Sequence, residues 1–316
     1  MSKFVPVADE VHRLQTGKDP ECRLFQKIAE KGHYAGRTRP TKTRQGIYAA
    51  APSGHFLASI NSNDPMRVKA MLERALVAWK ELPEADRYLE KPLSDRSREI
   101  WRADERKRPE DGLVLRVYSR DVDRGENPTK DWRGQAWNLD IAWLRAEDVR
   151  GFLPSETLDA GSSVEVPQYL LVRLARCHLV DNVRGQTPPY AHADIRSIRL
   201  TSTVESASME TVTLGLEGAF EIEKEGNWSI DGHRDLHRPS EQRRGYTGRL
   251  VGRATYDRAS SRMTAFEMVA LGTRYGATQY NGRQDDPSGP MAIAFTLAGE
   301  DTADQVAPAL IWAYGW

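Results

Sequence analysis

The sequence predicts an α+β protein: a small α/β part at the front and a larger antiparallel β-rich domain behind it, a curved sheet or incomplete barrel with flanking helices. Three observations predict this. From residue 195 onward apolar and polar residues alternate with a period of two, the pattern of strands with one buried face. Ahead of that point, helical stretches alternate with short β-rich runs. Between them, residues 83–111 are dominated by charge and read as a linker, which divides the chain into 1–82, 83–111 and 112–316.

In the front part, residues 4–8 (FVPVA) read as a short strand. Pro20 opens a helix that carries Cys22, Phe25, Ile28 and Ala29 along one side, and Gly32 closes it. A hairpin follows, with GIYAAA and HFLASI flanking a Pro-Ser-Gly turn. Asp64 then caps a helix whose first residue is Pro65 and whose apolar stripe is Val68, Met71, Leu72, Ala75, Leu76 and Trp79. This order of strand, helix, hairpin and helix over residues 1–82 resembles the C-terminal half of a thioredoxin-like fold. The resemblance is one of element order. The redox CxxC of that family is absent, so redox activity is not implied.

Behind the linker, residues 113–119 (LVLRVYS) read as a strand. Residues 136–144 (AWNLDIAWL) place Trp137, Ile141 and Leu144 at helical spacing and read as an amphipathic helix. Pro167 starts a second helix, with Leu170, Leu174, Cys177 and His178 on one face. Strands follow at 197–204, 212–222, 246–256, 263–272 and 291–297. In the second of these every even position is apolar or glycine.

Short connections make hairpin neighbours the expected topology, so these five strands should form an up-and-down meander. Its short turns then lie at one end, and the loops 181–194, 224–245 and 274–290 converge at the other. Long loops on a rigid scaffold are where function concentrates. The converging residues include Asn182, Arg184, His192 and Asp194; His233, Asp235, His237, Arg243 and Arg244; and Arg274, Tyr275, Tyr280, Asn281, Arg283, Asp285 and Asp286. Cys177 and His178 sit just ahead of the first loop.

This set supports three chemistries. The first is a metal-dependent enzyme of unassigned reaction: His192, His233 and His237 would ligate a zinc, copper or iron ion, with Cys177 and His178 as further donors. Arg243, Arg244 and Tyr280 are its candidate catalytic residues. The second is non-catalytic binding of a small anionic molecule by an Arg/Tyr cluster, because guanidinium groups grip carboxylate and phosphate in a bidentate fork. The third is a structural interaction module. The tail APALIWAYGW is expected to dock on its own body, and a monomer or homodimer is expected.

Composition narrows the field. Lys plus Arg equals Asp plus Glu at 45 each, so no basic excess points to nucleic acid or a membrane surface. No P-loop or GxGxxG occurs, so no nucleotide cofactor is expected. The two cysteines, Cys22 and Cys177, are far apart and outside any CxxC, which suggests a reducing compartment. With no signal-peptide pattern in this chain, a cytoplasmic location is expected; a processed secreted form would read the same.

Overall fold

A computed structural model describes residues 3–5, 11–35, 44–62, 64–88, 108–122, 132–154, 157–230, 239–284, 286–301, 304 and 306–316. The chain divides into two compact units, Val7–Glu105 and Arg106–Trp316 together with Met1–Pro6. The division falls inside the charged stretch. No helix among the described residues is long and apolar enough to cross a membrane.

The first unit runs α1 (Val11–Thr16), α2 (Pro20–Lys31), β1 (Ile47–Ala50), β2 (Phe56–Ile60), α3 (Pro65–Glu81) and α4 (Glu84–Arg87). Local chemistry sets its helix starts. The Asp19 carboxylate accepts the Cys22 N–H, and Asp64 accepts those of Met66 and Arg67, so free donors of the first turn are capped. Strands β1 and β2 form a two-stranded antiparallel sheet, as the hairpin signal predicts. Residues 3–5 are not in a strand, and 6–8 lie outside the described residues. The opening strand of the expected thioredoxin-like order is thus not found among the described residues.

The second unit is built on one eight-stranded antiparallel sheet. Its strands are β3 (Leu113–Asp121), β4 (Trp137–Leu144), β5 (Ser163–Glu165), β6 (Ile195–Ala207), β7 (Thr211–Trp228), β8 (Ser240–Asp257), β9 (Arg262–Tyr275) and β10 (Gly289–Leu297). Their spatial order is β4-β3-β10-β9-β8-β7-β6-β5. The run from β6 to β10 is the expected meander. Strand β3 joins it beside β10, and the end strands β4 and β5 do not pair with each other, so the sheet stays open.

Alternation makes one face of this sheet the core. Leu214, Leu216, Phe220 and Ile222 of β7, Tyr246, Leu250 and Ala254 of β8, and Phe266, Met268 and Ala270 of β9 are all buried in one cluster. Short helices α5 (Trp132–Gln135) and α6 (Ala146–Arg150) precede α7 (Gln168–Cys177). Helix α7 adds Leu170, Leu171 and Leu174 to the cluster, and Phe152 meets Phe266 edge to face. Each large side chain buried this way contributes about 1.5–3 kcal/mol.

One expectation is overturned. Residues 137–144 are strand β4, not a helix. Trp137, Leu139, Ile141 and Trp143 also fit a period of two, and pairing with β3 decides between the readings. The far end of β4 is buried on both faces because the tail packs on it: Trp316 stacks on Trp143 with ring centroids 6.4 Å apart. The tail thus docks on its own body, with Ile311–Ala313 as a 3-10 turn.

Candidate functional site

Strand direction gathers the long connections at one end of the sheet. Strands β7 and β8 run on to Trp228 and Ser240, so the connection between them is only 229–239. His233, Asp235 and His237 fall within 231–238, outside the described residues, and so does Asp285. The other two loops, 178–191 and 276–288, touch. Gln186 and Tyr280 form a β-bridge, and the Trp228 indole donates to the Ala277 carbonyl at 2.9 Å. Glycines allow this approach. A Cβ on Gly185 would fall 1.9 Å from the Tyr280 carbonyl oxygen. Gly276, at φ +85°, lies so close to β8 that a Cβ would come 2.2 Å from the Arg243 carbonyl oxygen.

Beneath the touching loops lies a buried ionic network. The Arg283 side chain is fully buried and all its N–H groups are used. It donates to Asp181 from Nε at 2.8 Å and Nη2 at 2.9 Å. It donates to Asp121 from Nη1 at 2.8 Å and Nη2 at 2.9 Å, and to Asp286 from Nη1 at 3.0 Å. Arg184 bridges Asp121 at 3.0 Å and also Asp286. Arg274 reaches Asp286 at 3.2 Å and donates to the Pro287 carbonyl at 2.7 Å. Three guanidinium groups thus meet three carboxylates. Burial alone would raise the Asp121 carboxyl, but hydrogen bonds from Arg283 and the charges of Arg283, Arg274 and Arg184 outweigh it and hold it below the ordinary value. Burial likewise opposes the Arg283 charge, and its bonds to Asp181 and Asp121 more than restore it.

Beside this network sits a guanidinium with no such balance. Arg244 is 4% exposed, and no carboxylate lies within ion-pair distance of it among the described residues. Its Nη2 donates to the carbonyl of Pro188 at 2.9 Å, and its plane covers the Tyr190 ring at 4.3 Å. Its Nη1 is buried with no hydrogen-bond partner. Burial lowers the Arg244 pKa, and the charges of Tyr190, Asp194 and Asp181 only partly offset that. Directly across the strand pair stands Lys224, which among the described residues meets the Asp194 carboxylate at 3.4 Å. Cross-strand neighbours on one face lie about 5 Å apart, so two like charges share this corner, and Asp194 is the carboxylate that comes within ion-pair reach of one of them among the described residues.

The remaining predicted residues scatter. Arg243 neighbours Arg244 in a strand and therefore faces the other way. It pairs with Glu223, which also accepts from the Tyr275 hydroxyl, so Arg243 and Arg244 cannot form one fork. Tyr280 is exposed and is held by its backbone bridge. Asn182 and Asn281 brace their own loops, accepting from Thr187 N–H at 2.8 Å and Thr278 N–H at 2.9 Å. His192 is exposed on the 3-10 turn His192–Asp194.

Cys177 and His178 are buried elsewhere, under the tail. His178 Nε2 meets the Tyr314 hydroxyl, and its Nδ1 lies 3.5 Å from Asp140. Burial pushes the Cys177 thiol up to about 11, which leaves it neutral and a poor ligand or nucleophile at neutral pH. Among the described residues no group of three or more His, Cys, Asp or Glu is placed to hold a metal. Of the proposed imidazole set, only His192 lies within the described residues.

Sequence reasoning passed over Asp121, Asp181, Lys224 and Tyr190. A signal for Asp121 was present: Leu115, Val117, Ser119 and Asp121 continue one alternating face of β3, and a carboxylate at a buried position needs a cation. Neither family models nor curated proteins nor solved structures yield a match to this chain.

Proposed function

We propose that the protein binds a small anionic molecule, a carboxylate or phosphate, at the corner formed by Arg244 and Lys224, without catalysing its conversion. One observation carries this reading: Arg244 is buried and still charged, yet lacks a carboxylate and leaves Nη1 unbonded. A buried charge is costly unless paired. An anion would supply the missing partner, and guanidinium geometry suits a two-oxygen contact. Because Pro188, Pro189 and Tyr190 cover Arg244, entry requires the 186–191 segment to lift. The neighbouring balanced network keeps the rest of the rim in place while this happens.

Thermal melting in the presence of phosphate, sulfate, acetate or citrate tests the reading. A binder present at a hundred times its Kd stabilises by about 2.7 kcal/mol. For a unit of this size that corresponds to roughly 5–10 °C. Elemental analysis of untagged protein separates the metal reading. Stoichiometric metal, with anion binding abolished by a chelator, would move the anion onto a metal and away from Arg244.

A further inference from the structure

The face of the sheet opposite the core carries a registered apolar band. Reading across paired residues, one row is Val251 on β8, Val269 on β9, Ala294 on β10, Tyr118 on β3 and Leu139 on β4. The next row is Arg249, Leu271, Ala292, Arg120 and Trp137 on the same strands. Val251 is 61% exposed, Leu271 52% and Trp137 58%. Five strands at about 4.8 Å spacing make the band about 19 Å long, and the rows lie about 7 Å apart. Contiguous exposed apolar surface of this kind marks an interaction site more often than chance exposure does.

Charge identifies the partner. On the row to one side, arginines are already neutralised: Arg253 pairs with Glu205 at 2.8 Å, and Arg116 with Asp304 at 2.7 Å. Within the band, Arg120 and Arg249 are exposed and have no ion-pair partner among the described residues. Glu217 and Glu221 flank Ala219, which is paired with Arg249, but neither comes within salt-bridge distance of Arg249. Trp, Tyr and Arg are the residue types that carry most interface energy.

We propose that this face docks a protein partner whose contact surface sets apolar side chains between carboxylates, one for Arg120 and one for Arg249. Nucleic acid fits less well, because only Tyr118 and Trp137 could stack with bases. The proposal is independent of the anion reading, which concerns the opposite face.

The test is panning of a displayed random-peptide library on the full chain, with Leu271→Asp and the double variant Arg120→Glu/Arg249→Glu as counter-targets. These positions are exposed, and circular dichroism melts of each variant serve as the control for folding. The expected result is enriched peptides with apolar centres flanked by Asp or Glu, binding each variant at least about tenfold more weakly. Lysine substitution of the peptide carboxylates should restore binding to the double variant. Enrichment of neutral or basic peptides, or of none sensitive to the variants, overturns the proposal. So does binding of a poly-dT oligonucleotide that the same variants abolish, or a dimer in light scattering that Leu271→Asp dissolves.

Discussion

Two arginines a few residues from the same rim live under opposite rules. Arg283 sits among Asp121, Asp181 and Asp286 with all its donors used. Arg244 sits against two proline carbonyls and a tyrosine face, with one nitrogen unbonded. Both are buried. The first belongs to a charge-balanced network that ties β3 and both loops together. The second leaves charge uncompensated. The difference teaches that burial alone does not separate a structural arginine from a binding one; the balance of partners does.

The comparison is broken most severely at Asp121. Asp121→Asn strands Arg283 and Arg184 without their shared carboxylate, and removing one partner of a buried ion pair costs about 3–5 kcal/mol. Calorimetry at neutral pH should show Tm falling by on the order of 10 °C. A change of a degree or two would mean that the network is not what holds the rim.

Acid should reach the same network. The Asp121 carboxyl is held low in the folded state, so its contribution is complete above the ordinary aspartate value of about 3.9. It is lost as pH falls through the lower folded value. Melting profiles from about pH 7 down to about pH 2 should therefore show a loss of stability below about pH 4 that Asp121→Asn lacks.

A milder perturbation is Gly276→Ala. The backbone there is at φ +85°, and the added methyl would press on β8 next to Arg244. The left-handed φ alone costs about 1–2 kcal/mol, and relieving the overlap with the β8 backbone adds to it, readable as a shift in denaturant midpoint. The smallest effect is expected from Arg243→Ala. This exposed residue pairs with Glu223 on the opposite face, so neither Tm nor anion response should change measurably.

Much of this architecture was legible in the chain. The alternation at 212–222 marks the buried face of β7, and strand parity alone brings 178–191 against 276–288. What stayed hidden required long-range pairing. Strand β3 joins β10 across more than a hundred and fifty residues, so nothing local ties Asp121 to Arg283. The stretch 137–144 satisfies two periodicities, and only its partner strand chooses. His178 looked like a ligand beside Cys177; its contact with Tyr314 depends on where the tail folds back. Arg243 and Arg244 look like a pair in sequence, yet a strand separates neighbours onto opposite faces.

The most direct test titrates phosphate, sulfate, acetate and citrate against the wild type and Arg244→Met, reading Tm. The account predicts that at least one anion raises the wild-type Tm saturably. The variant should not respond, while its ligand-free stability stays within about 1 kcal/mol of wild type, because an apolar side chain replaces an unpaired buried charge. Equal shifts in both proteins, or no shift with any of the four anions, would contradict it.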